Sequence, residues 1–209
     1  MKHSILIITL FFLTLNLGFS QPQPTYKMQT ALLLIDIQND YFANGAMALT
    51  GSDEAGRNAG LVLEKSRADS LMIVHIQHIA ARPTATFFLP HTAGAGIHEY
   101  VKPLENEKLI VKHYPNSFRD TELLDYLKSN HITDLVICGM MTHMCVDATV
   151  RAAKDAGFNI TLIGDACATK DLEINGQIVK AENVQNSFLA ALSYFYATVK
   201  TTKEYLEVE

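Results

Sequence analysis

The chain is poor in cysteine, with three in 209 residues, and that odd, low count sets aside a disulfide-built scaffold. Basic residues are in no surplus either. Lys and Arg number 17 against 22 Asp and Glu, a formal net charge of −5, so nothing indicates a nucleic-acid surface. No long block of one sign breaks the pattern, which argues against a charged interaction tail. Internal repeats and low-complexity tracts are missing. So is the Cys-x-x-Cys pair a thiol redox protein would want. What is present is 48% hydrophobic residues, enough for one domain with a full core.

The first residues read differently from the rest. Lys2 and His3 precede a nearly unbroken apolar run, Ile5 to Leu17, and Gly18-Phe19-Ser20 puts small residues where a signal peptidase cuts. The run is shorter than the ~20 residues a membrane span needs. Residues 1–20 are therefore expected to be a signal peptide, 21–29 a short linker and 30–209 the folded domain. The mature chain would start near Gln21 and work in the periplasm or the medium; no cysteine near the cut allows lipidation there.

Within the domain, strand and helix patterns alternate. Apolar runs at Ala31–Ile35, Leu71–Ile76, Leu109–Val111, Leu135–Cys138, Ile160–Ile163 and Ala197–Thr201 suit strands buried on both faces. Helical periodicity covers Glu54–Ala68, Thr121–Ser129, Met144–Ala156 and Ala181–Tyr196. The fold class expected is α/β: a doubly wound, mainly parallel six-stranded sheet with helices on both faces. Arg82–Tyr100, carrying two prolines and two glycines, reads as a long loop, and loops of that length in compact domains are usually functional.

In open parallel sheets ligands bind beyond the carboxyl ends of the strands. Three reactive side chains fall there: Asp36 after the first strand, Lys112 after the third and Cys145 after the fourth. Singly, each has an ordinary explanation: a turn aspartate, a solvated lysine, a buried thiol like Cys138 and Cys167. Those last two read as core residues, a bridge between them being the alternative. Together the three support one another. A thiol attacks as thiolate, a helix N-terminus and an ammonium both lower its pKa, and a carboxylate can take and return its proton.

The segments LLLIDIQNDYF, IVKHYPNSF and GMMTHMCVDATVRAA resemble the isochorismatase-like cysteine hydrolases, the superfamily that holds nicotinamidases and N-carbamoyl amidohydrolases. The likeness runs from about Ala31 to Tyr196. It implies a catalytic triad of Asp36, Lys112 and Cys145, and a cis peptide bond between Met140 and Met141. It also implies an oxyanion hole built from the N–H groups of Met141 and Cys145. Thr142 fills a threonine slot of the family, where its hydroxyl would cap the helix. Phe42, Phe87, Phe118 and Thr142 are the expected substrate contacts, Phe88 and the long loop shaping the pocket, and Asn116 and Ser117 altering its polar lining.

The metal motif of nicotinamidases, Asp-x-His, has no counterpart in HIQHIAARPTATFFLPH, although His75, His78, His91 and His98 are nearby. His75 and His78, three apart, point to opposite faces of a strand. No metal and no cofactor are expected. The activity implied is hydrolysis of a C–N bond, amide, lactam or carbamoyl, in a small molecule through a cysteine thioester. A vinyl-ether hydrolase and a non-catalytic binding protein on the same fold are the alternatives. The partner expected is a small-molecule substrate, with no nucleic acid, no membrane after signal cleavage, and a homo-oligomer of two or more chains.

Overall fold

The computed structural model describes residues 29–207. The expected signal peptide and nearly all of the linker lie outside them. Six parallel strands form the sheet: β1 (Gln29–Ile35), β2 (Met72–His78), β3 (Lys108–Lys112), β4 (Ile132–Met140), β5 (Asn159–Ala168) and β8 (Thr198–Lys200). Their order is β3-β2-β1-β4-β5-β8, so the chain starts in the middle, winds outward, then returns and winds the other way. Right-handed crossovers on the two halves put their helices on opposite faces, as the doubly wound expectation required. On one side α1 (Ser52–Ala68) packs with α5 (Thr202–Leu206). On the other α3 (Asp147–Asp155) packs with α4 (Ala181–Phe195), and α2 (Leu123–Ser129) lies against β4.

Why these residues fold this way is plainest in β1. Ala31 to Ile35 are all buried, each clamped between β2 and β4. Burying each such Leu or Ile side chain contributes roughly 1.5–3 kcal/mol. In α1 the buried positions Ala55, Gly56, Ala59, Val62, Leu63 and Ser66 recur at helical spacing, and the first of them are small. Small residues let the helix approach closely. A Cβ on Gly56 would lie 2.8 Å from the rings of Phe42 and Tyr100.

Two elements were not expected. A ribbon of β6 (Leu172–Ile174) and β7 (Gln177–Val179) turns at Asn175 and Gly176, both at positive φ. The short α5 begins with Thr201 and Glu204 capping each other's main chain. Among the described residues no helix is long and apolar enough to cross a membrane. All three cysteines are free, so Cys138 and Cys167 are not bridged.

Strand β4 carries the tightest backbone constraint. Gly139 pairs with Ile35, and a Cβ built on it would meet the Ile35 carbonyl oxygen at 2.1 Å. Its φ of +143° is also one that side chains rarely adopt. Gly139→Ala should therefore cost roughly 2–5 kcal/mol in urea unfolding, from overpacking plus backbone strain. A loss below about 0.5 kcal/mol, the ordinary range of a neutral surface change, would show that β4 can move away from β1.

Candidate active site

The sheet brings four chain segments to one end. Asp36 follows β1 directly, its N–H donating to the Ile76 carbonyl of β2 at 3.1 Å. It sits at φ 50°, a left-handed conformation that aspartate tolerates better than most residues at a cost of about 1–3 kcal/mol. His78 ends β2 and Lys112 ends β3, and the register pairs these two directly. Cys145 arrives from the other side of β1, in a π-helical turn, Thr142–Val146, between β4 and α3. The regular helix begins at Asp147, three residues later than its periodicity suggested.

Asp36 and Lys112 are both wholly buried, and Lys112 Nζ lies 2.7 Å from Asp36 Oδ2. Apart from that contact and the neighbouring Cys145 thiol, both Asp36 oxygens lack a hydrogen-bond partner among the described residues. Lys112 Nζ also sits 3.0 Å from His78 Nδ1 and donates to the Tyr114 carbonyl at 3.1 Å. The ammonium is thus surrounded by a carboxylate, a ring nitrogen and a carbonyl, and the Cys145 sulfur is its fourth polar neighbour. Ligand-type atoms of Asp36, His78 and Cys145 lie within 4.8 Å of one another. Such a donor set can hold a soft metal ion, yet the Lys112 ammonium already contacts two of its three members.

The charge state of the thiol differs from expectation. Burial pushes the Cys145 thiol up, the Asp36 carboxylate adds to that, and Lys112 only partly offsets both. With 4% of its surface exposed, the sulfur loses more by desolvation than the ammonium restores. The resting thiol is neutral. Burial lowers Lys112, but Asp36 and the thiol outweigh it and hold the ammonium above the usual lysine range. His78 is pushed down to about 4, mainly by burial, so its ring is neutral near pH 7.

The long loop closes over this end of the sheet through main-chain clamps. Gln38, fully buried, accepts from His78 N–H at 2.7 Å and donates to the carbonyls of His78 and Ala95. The Asp40 carboxylate accepts from Phe88 N–H at 2.6 Å and Ala46 N–H at 3.2 Å. A Cβ on Gly94 would strike that carboxylate at 2.0 Å, so the loop fits only with glycine there. Tyr41, Phe87 and Phe88 form an aromatic cluster, and Phe88 lies 5.8 Å from the His78 ring.

A model of the isochorismatase domain matches residues 30–204. The chain belongs to the isochorismatase family. The family protein YddQ of Bacillus subtilis is 52% identical over 180 residues, covering 86% of this chain and 100% of YddQ. A streptothricin hydrolase of Streptomyces noursei is 36% identical over 142 residues, 68% of this chain and 55% of that one. A solved structure described as an isochorismatase hydrolase of Oleispira antarctica superposes with a TM-score of 0.84 at 44% identity, covering 88% and 99%.

Asp36, Lys112 and Cys145 do converge, and the Met140–Met141 bond is cis. The expected substrate contacts sit in different surroundings. Phe42 stacks on His98, ring centroids 3.5 Å apart, and edges Tyr100, so its ring packs against α1 and the loop. Phe118 is half-buried against Phe158, and Phe87 reaches the site's surroundings through Phe88 and Tyr41. The Ser117 hydroxyl is paired with Thr149 and Asn116 accepts from Phe118 N–H, so both help to brace the loop after β3. His75, on the opposite face from His78, pairs with Glu107 at 2.9 Å.

Thr142 does not cap the helix. Its hydroxyl is buried and lies 2.6 Å from Gln185 Oε1, with the Ala168 carbonyl at 3.2 Å. Gln185 is oriented by its own amide protons, which go to the carbonyls of Gly164 and Cys167. Those carbonyls lie in the stretch where β5 slips register against β4. The bulge thus fixes the glutamine, the glutamine the threonine, and the threonine the turn that carries Cys145. Thr142→Val should leave Gln185 Oε1 without its donor and cost about 1–3 kcal/mol in chemical denaturation. Wild-type stability in that variant would mean the turn is held by packing alone.

Proposed function

We propose that this isochorismatase-family protein hydrolyses a C–N bond, amide, lactam or carbamoyl, in a small molecule through a thioester on Cys145. The observation that carries the reading is a buried carboxylate–ammonium pair, 2.7 Å apart, beside a buried thiol. Burying two charges costs several kcal/mol per ion, and an apolar pair would hold the sheet ends together as well. A carboxylate beside a buried thiol is, by contrast, what a nucleophile needs: a base within reach.

In this reading the Cys145 sulfur attacks the carbonyl carbon as Asp36 takes the thiol proton. The oxyanion is held by the N–H groups of Met141 and Cys145. The intermediate collapses, the C–N bond breaks, and Asp36 gives its proton to the departing nitrogen, leaving a thioester. Asp36 then removes a proton from water as its oxygen attacks, and the second intermediate releases the acid and the thiol. Lys112 keeps its charge throughout and steadies both anionic forms. Tyr41, fully buried, stays protonated, since burial first and then the charges of the thiol, Asp36 and Asp40 raise its pKa. Asp36 is therefore the base of the site.

A panel of small amides and carbamoyl compounds, scored by released ammonia or amine, tests the assignment. Cys145→Ala and Asp36→Asn should each lose roughly a thousandfold or more of kcat/KM with the fold intact by circular dichroism. Full turnover by Cys145→Ala would remove the covalent mechanism and leave vinyl-ether hydrolysis as the better reading. Because Lys112 already occupies the donor set, dialysis against a strong chelator should leave turnover unchanged. Stoichiometric zinc or iron lost in step with activity would overturn that part.

A further inference from the structure

His78 stands apart from the three residues the family likeness assigns, yet it is the fourth polar side chain at the same point. Its Nδ1 is 3.0 Å from Lys112 Nζ and 4.0 Å from Asp36 Oδ2, and its side chain is 18% exposed. The fold uses residue 78 through its main chain: the N–H and carbonyl are both bonded to Gln38. The imidazole is therefore not needed for that clamp. Asn, Gln or an apolar residue would end β2 equally well.

We propose that His78 is a positioning residue, whose neutral ring accepts a proton of Lys112 at Nδ1 and thereby holds the ammonium against Asp36 and the thiol. This rests on the triad reading above. Without that acceptor the ammonium would settle toward its remaining neighbours, Asp36, the Tyr114 carbonyl and the Cys145 sulfur, and turning moves its charge relative to the sulfur. For Nδ1 to accept, the ring proton must sit on Nε2, which fixes the tautomer. A charged ring would instead repel the ammonium. The groups that face the ring decide this: Lys112, His113 and Arg82 are cationic or can become so, and Asp36 alone opposes them. Burial is the largest influence and the cations add to it, so the neutral form prevails at neutral pH.

The distinguishing readout is the pH profile of iodoacetamide labelling at Cys145, followed by peptide mass so that Cys138 and Cys167 do not contribute. Labelling needs no substrate, and its rate at fixed pH changes tenfold for each unit the thiol midpoint moves. His78→Ala should raise the midpoint and slow labelling by roughly three- to tenfold at neutral pH, since Lys112 no longer steadies the thiolate fully. His78→Asn should restore the wild-type profile, because its amide oxygen falls where Nδ1 was. Thermal unfolding confirms that each variant is folded. If Lys112→Ala shifts the profile and His78→Ala does not, the triad reading stands and the His78 role is overturned. If His78→Asn behaves like His78→Ala, the acceptor at that atom is not what matters, and the proposal also fails. If Lys112→Ala itself leaves the profile unmoved, the coupling of ammonium to thiol is wrong, and both readings fall together.

Discussion

The contact between Asp36 and Lys112 sets the terms for everything around it. Two opposite charges, both fully buried, stay charged only if each keeps the other. Removing one partner of such a pair typically costs about 3–5 kcal/mol, because the survivor is left unpaired in a low-dielectric interior. The sheet must therefore hold the end of β1 and the end of β3 in fixed register, with β2 between them. Gly139 lets β4 come close enough to β1 to add the thiol, and Gln38 and Asp40 bind the covering loop by its main chain. Each of these features is a requirement of keeping one ion pair dry and one sulfur beside it.

The neutral thiol follows from the same constraint. A site dry enough to sharpen the ion pair is also dry enough to disfavour a second anion beside Asp36. The sulfur is then not a standing thiolate, so oxidants and electrophiles react with it only through its small thiolate fraction. In the proposed mechanism it becomes one when a substrate arrives and the proton moves to Asp36, so proton transfer and attack belong to one event. Buried cysteines elsewhere show the contrast. Cys167 is pushed up to about 12 by burial, and its sulfur lies 3.3 Å from the Ile163 carbonyl, with no ammonium among the causes of its shift.

Much of this was legible in the sequence, and the exceptions share a cause. Strand runs such as Ala31–Ile35 are apolar because both faces are covered, so periodicity alone finds them. Asp36, Lys112 and Cys145 could be picked out because strand ends are where such folds place chemistry. His78 was harder, since its importance depends on the pairing of β2 with β3, which no local pattern states. Gln185 lies 43 residues from the Thr142 hydroxyl it orients, a contact only the folded chain makes. The missed β6–β7 ribbon is different: its strands are exposed and lack an apolar rhythm, but Asn175-Gly176 is a hairpin turn pair that could have been read. Likewise Thr201 and Glu204 spell a capping box ahead of α5.

The acyl-enzyme is the most direct measure of the central claim. Acid-quenched single-turnover mixtures of the protein with a turned-over amide should show, by peptide mass, one acyl group on Cys145, released by hydroxylamine and rising and falling with product formation. Product formed in full with no acyl increment on Cys145 at any time would contradict the account.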